Sequence, residues 1–247
     1  MEQRERVLIV SVQTTQTDED FAYANQELAQ LVDTAMGEVV ATVTQKRESI
    51  SGRTLVGKGK VEEISHLVDE LEVDLVVFYQ SLTGSMVKNL NETINCRIID
   101  RVQLILDIFA MRARSKEGKL QVQLAQLNYL LPRLSGQREG LSRQGGGIGT
   151  RGPGETRLET DRRYIRKQIQ DIEEQLEQIK KHRERSREKR KSSNGFQLGL
   201  IGYTNAGKST ILNQLTQAGT YQMDQLFATL DPLTRQVDLF PNFEVTL

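Results

Sequence analysis

The run FQLGLIGYTNAGKSTILNQL at residues 196–215 constrains this chain more tightly than any other stretch. An apolar segment enters a glycine loop, and an amphipathic segment leaves it, with Gly202, Gly207, Lys208 and Ser209 fitting the spacing GxxxxGK[ST]. That pattern works only where a strand hands over to a helix, because the loop must turn backbone N–H groups toward an anion at the helix N-terminus. The main-chain amides from Asn205 to Thr210 are expected to cradle the α and β phosphates of a nucleoside triphosphate. Lys208 is the expected catalytic cation, a point charge bridging the β and γ oxygens, and the Ser209 hydroxyl the expected Mg²⁺ ligand. The following segment YQMDQLFATLDPLTRQVDL lies where such folds close a loop over the γ-phosphate, and it must offer a second hydroxyl to the same ion. Thr229 and Thr234 are the candidates, and Thr229 is preferred because Pro232 and the strand-like RQVDLF put Thr234 at a strand edge.

Upstream, residues 7–110 alternate apolar runs with amphipathic ones: VLIVSV, EDFAYANQELAQLVDTA, EVVATVTQ, KVEEISHLVDELE, DLVVFY, a polar helix and RIID. Strands alternating with helices of this length predict a small parallel sheet covered by helices, an α/β class. No GxGxxG follows the first strand. The cluster Gly57-Lys58-Gly59-Lys60 either opens a helix at a phosphate or simply turns the chain, and the turn is preferred.

From residue 120 the period changes. Leu120, Leu124, Leu127, Leu131 and Leu134 are spaced 4, 3, 4, 3, and Ile165, Ile169, Ile172, Leu176 and Ile179 repeat that spacing, with Leu158 seven residues before Ile165. Two heptad seams predict an antiparallel helical hairpin of coiled-coil type, with Pro132 ending or kinking the first helix. Between them SGQREGLSRQGGGIGTRGPGE carries eight glycines and reads as the hairpin tip. The expected divisions are 1–114 for the α/β domain, 115–194 for the hairpin with its tip at 135–154, and 195–247 for the start of a P-loop domain.

Charge separates along the chain although 33 basic residues balance 33 acidic ones. Residues 1–110 carry 10 Lys and Arg against 18 Asp and Glu, so the remainder holds an excess of 8 positive charges. Arg133, Arg138, Arg143, Arg151 and Arg157 lie in and beside the glycine-rich tip, Arg162, Arg163, Arg166 and Lys167 follow it, and Lys180 to Lys191 holds eight cations against two anions. Guanidinium groups spaced through glycine suit phosphate and RNA, so nucleic acid is the expected partner. One cysteine, Cys96, and two distant histidines exclude a disulfide framework, a thiolate zinc site and an imidazole cluster. With no run near ~20 apolar residues and no secretory signal, a cytoplasmic protein without a membrane span is expected.

The motifs GYTNAGKST and DQLFATLDPLTR, preceded by GGGIGTRGPGETRLETDRR, resemble the HflX family of ribosome-associated P-loop GTPases. The likeness runs the whole length, including VGKGKVEE and the hairpin, and the Gly-Pro-Gly-Glu loop joined to the phosphate loop makes it specific. It implies that GTP contacts fall on Gly202, Tyr203, Thr204, Asn205, Ala206, Gly207, Lys208 and Ser209 and on Phe227, Ala228, Thr229, Leu230 and Asp231. It implies Mg²⁺ on Ser209 and Thr229. It also implies binding to the large ribosomal subunit and its rRNA, with the tip directed to the peptidyl-transferase region, and GTP-dependent splitting of stalled ribosomes; a monomer is expected. The chain stops at PNFEVTL, so the DxxG and NKxD motifs of such GTPases are missing and it reads as cut short, with residues 196–247 expected to be poorly stable alone. Guanine preference then rests on the resemblance, since the phosphate loop touches only what GTP and ATP share. Two rivals remain: a nucleotide-independent RNA-binding chain with an inert switch domain, and an ATP-using enzyme built on the same loop.

Overall fold

The computed structural model describes residues 4–50, 52–134, 157–191, 196–202, 206–216, 236–240 and 243–246. They fall into two compact units, Met1–Asp107 with Ala125–Ile169, and Ile108–Leu124 with Gln170–Leu247.

The first unit is built on a four-stranded parallel sheet in the order β2-β1-β3-β4, from β1 (Glu5–Gln13), β2 (Gly37–Lys46), β3 (Leu75–Phe78) and β4 (Arg97–Asp100). The central β1 has seven consecutive buried residues, all apolar but Ser11 and Gln13, as expected of a strand covered on both faces. Leu8, Val10 and Val12 join Val76 and Phe78 in one core with Val61, Ile64 and Val68 of α2 (Lys58–Glu70) and Leu90 of α3 (Gly84–Asn91). The alternate positions Val7, Ile9 and Val77 belong to the opposite face by the strand's period of two, and they are equally buried.

Polar caps set where the helices begin. Thr17 accepts the amide of Asp20 at 3.1 Å and starts α1 (Asp18–Thr34), whose first turn carries Asp18, Glu19 and Asp20 at the positive end of the helix dipole. Thr83 does the same for α3 through the amide of Met86. The predicted βα order is thus present element by element. One preference is corrected: Gly57 stands at the N-cap of α2, so the Gly-Lys-Gly-Lys cluster opens a helix and is more than a turn. Gly57 has the extended backbone of an N-cap but makes no side-chain cap bond.

Helix α4 (Arg101–Arg112) follows β4 directly, and α5 (Lys116–Arg133) and α6 (Arg157–Lys191) supply the two predicted heptad seams. Pro132 sits in the last turn of α5, which ends one residue later, as a ring without an N–H donor requires. Ile165 and Ile172 are buried and the leucine stripe of α5 is half-buried, so both seams face inward. In the second unit Arg183 near the end of α6 pairs with Glu117 at the start of α5 at 2.9 Å, the arrangement of antiparallel helices. The tip at 135–154 lies outside the described residues.

The second unit also holds a three-stranded sheet, β5-β7-β6. Its β5 (Phe196–Gln197) runs parallel to β7 (Phe243–Thr246), and β6 (Gln236–Phe240) runs antiparallel to β7. The strand predicted from RQVDLF is therefore present. The one predicted from FQLGLIG is only two residues long, and Leu198, Leu200 and Ile201 are 54, 41 and 94% exposed. Among the described residues β5 has a neighbour on one side alone, and an apolar run gains little from extension without neighbours to cover it.

Candidate functional site

The phosphate loop takes its shape from two glycines and a lysine. Gly207 adopts φ +78°, a left-handed conformation that a side chain would strain, and it immediately precedes α7 (Lys208–Thr216). The amide of Ile211 donates to the carbonyl of Gly207 at 3.0 Å, closing the first helical turn, and Leu212 is the buried anchor of the helix. The stem of Lys208 folds back toward Gly202, with its Cγ and Cδ 3.6 Å from where a Gly202 Cβ would stand; Ala206 lies 3.7 Å from the same point. Lys208 and Ser209 are half-buried in the first turn of α7, at the positive end of the helix dipole.

The structure therefore brings together Gly202, Ala206, Gly207, Lys208 and Ser209. The predicted contacts Tyr203, Thr204 and Asn205, and Phe227, Ala228, Thr229, Leu230 and Asp231, lie outside the described residues, as does Thr234. Among the described residues no group of three His, Cys, Asp or Glu side chains could hold a metal. A cation at this loop would draw on the Ser209 hydroxyl and on the oxygens of its own anion, the hard oxygen set that suits Mg²⁺. No described helix is long and apolar enough to cross a membrane.

A second polar cluster, unmarked in the sequence, sits at the C-terminal end of the parallel sheet. Asp100, the last residue of β4, is fully buried and accepts the amides of Leu82 at 2.9 Å and Gln103 at 3.0 Å. Arg133 reaches it from α5 at 3.1 Å. Burial, aided by the hydrogen bond to Asp100, pushes the Tyr129 hydroxyl well above its usual range. Burial also raises Asp107, against the lowering effect of its bond from Gln103. A cavity of about 360 Å³ lies beside these groups, lined among others by Val87, Asp100, Asp107, Tyr129 and Arg133. The only signal the sequence offered was an aspartate between a strand and a helix, the position of an N-cap.

Residues 22–110 match the family described as GTP-binding GTPase N-terminal, residues 112–190 the GTP-binding GTPase Middle Region, and residues 197–247 the 50S ribosome-binding GTPase family. A protein named GTPase HflX from Alkalihalophilus pseudofirmus is 59% identical over 243 residues, 98% of this chain. The chain belongs to the HflX GTPase family. The chain spans 57% of the length of that relative, and 56% of a GTPase HflX from Caldanaerobacter subterraneus to which it is 51% identical over 244 residues. Among solved structures, the complex of SsGBP with GDP is similar at a TM-score of 0.55 and 23% identity, over 98% of this chain and 60% of that one. That likeness supports the α/β fold of the chain.

Proposed function

We propose that this chain binds and hydrolyses GTP as part of an HflX protein that associates with the large ribosomal subunit and acts on stalled ribosomes, in the cytoplasm and as a monomer. Three parts divide the work: residues 1–114 and the hairpin at 115–194 engage the subunit and its rRNA, and residues 195–247 hold the phosphates of the nucleotide. Lys208 bridges the β and γ phosphates. The amides at the start of α7 cradle them, and the segment Phe227 to Asp231 closes over the γ-phosphate. Ser209 and Thr229 would hold Mg²⁺, which when bound offsets charge on the transferring phosphoryl group. The protein's own contribution is position and charge, with no covalent intermediate.

One observation carries this reading: Gly207 in a left-handed conformation sets Lys208 at the mouth of α7 with its stem folded toward Gly202. The test is titration of the chain with a fluorescent GTP analogue, displaced by unlabelled GTP or ATP. Wild type should bind saturably and release the probe to GTP, and Lys208→Ala should abolish binding. Retained affinity in Lys208→Ala would remove the assignment, and displacement by ATP with equal potency would move it to the adenine-using rival. Large-subunit binding that ignores both nucleotide and the Lys208→Ala change would support the nucleotide-independent reading instead.

A further inference from the structure

We propose that Arg133 is a positioning residue: it ties the last turn of α5 to the C-terminal end of β4, fixing where the chain leaves that helix, and it makes no phosphate contact of its own. The inference rests on the reading that the arginine-rich hairpin engages ribosomal RNA. By sequence Arg133 is the first of five arginines in and beside the glycine-rich tip, indistinguishable from the rest. The structure sets it apart.

Both terminal nitrogens and the face of its guanidinium are engaged internally, while Nε is buried without a hydrogen-bond partner. Nη2 donates to Asp100 Oδ2 at 3.1 Å, Nη1 donates to the Tyr129 carbonyl at 2.9 Å, and Cζ lies 3.3 Å from the centroid of the Tyr129 ring. The side chain of Arg133 is 21% exposed and that of Asp100 is 0% exposed. Pulling Arg133 away toward an RNA phosphate would leave a buried carboxylate without its counter-charge, held by backbone amides alone, which costs more than the surface pair it would gain. Because Asp100 also holds the amides of Leu82 and Gln103, one carboxylate joins the lead into α3, the end of β4, the start of α4 and the end of α5. Backbone packing makes the same joint from the other side. A Cβ at Gly84 would fall on the carbonyl oxygen of Arg133, so the first residue of α3 must be glycine for α5 to end where it does. Arginine fits this post better than lysine, since the planar fork stacks on Tyr129 while it bonds Asp100.

The experiment measures binding of the whole chain to purified large subunits across a range of KCl concentrations, with amide hydrogen exchange on the same variants. Arg143→Ala, the reference phosphate contact, should make the negative slope of log affinity against log salt shallower by about 0.7–0.9. Gly84→Ala keeps every charge but displaces the end of α5; it should weaken binding about tenfold with the slope unchanged. Arg133→Ala should behave like Gly84→Ala, and Arg133→Lys should lie between it and wild type. The exchange of the Leu82 and Gln103 amides should quicken in Arg133→Ala while that of β1 stays at the wild-type rate, which excludes global unfolding. A slope that becomes shallower in Arg133→Ala as it does in Arg143→Ala overturns the proposal, as do unchanged affinities in both Gly84→Ala and Arg133→Lys. Failure of the wild-type chain to bind large subunits at any salt removes the RNA reading alone. Exchange at Leu82 and Gln103 then still decides the joint, and unchanged rates there overturn it.

Discussion

VLIVSV in the N-terminal sheet and FQLGLIG before the phosphate loop are both read as strands, but β1 is nine residues long with seven buried in succession, whereas β5 holds two. The difference lies in their neighbours. β1 pairs with β2 along one edge and β3 along the other, and helices cover both faces; β5 pairs with β7 on one edge among the described residues. An extended backbone is stabilised by what lies beside it, and the glycines of the second run weaken it further, so one run gives a core strand and the other leaves Leu198, Leu200 and Ile201 exposed.

The sharpest way to break this comparison is a pair of truncations. Leu8→Ala removes a side chain with no exposure and should destabilise the chain by about 2–5 kcal/mol in urea denaturation, whereas Ile201→Ala, at 94% exposed, should change it by less than about 0.5 kcal/mol. Equal effects would mean that the apolar stretch before the phosphate loop is covered after all. A smaller contrast lies within the loop itself. Gly207→Ala forces a side chain into a left-handed backbone, a strain of about 1–3 kcal/mol that should weaken binding of a GTP analogue roughly tenfold or more. Gly202→Ala would meet Lys208 at an ordinary 3.6 Å and should cost less than about threefold, so a larger loss there would point to a phosphate lying closer than the loop geometry implies.

The smallest expected effect concerns pH. Burial holds the Asp107 carboxyl above its ordinary 3.8, so the folded state binds that proton more tightly than the unfolded chain. The penalty is present once pH exceeds the raised folded value and is relieved as pH falls through it toward the unfolded value. Asp107→Asn should therefore stabilise the chain by on the order of a few tenths of a kcal/mol at neutral pH, and the two urea midpoints should converge on acidification. A gap that widens toward acid would reverse the sign and show the charged form to be favoured.

Much of the first unit was legible because period and burial speak the same language there: seven elements in βα order followed from VLIVSV through RIID, and the parallel sheet followed from the alternation. The heptads likewise announced α5 and α6. The phosphate loop was legible for a different reason, since Gly207 and Lys208 are set by a conformation and a charge that few other residues supply. What could not be read was the joint at Asp100. Its partners, Leu82, Gln103 and Arg133, are up to 33 positions away, and nothing local distinguishes an arginine aimed at solvent from one stacked on Tyr129. The shortness of β5 was missed because an apolar run reports what a segment can do, whereas neighbours decide what it does.

The strand order has a consequence for how such a chain is made. β1 is complete at Gln13, but its partner on the β3 side ends only at Phe78. At a synthesis rate of about 5–20 residues per second, the most apolar segment of the molecule therefore waits several seconds with one edge open before its sheet can close around it. During synthesis, that interval is when this domain most needs shelter from other nascent chains.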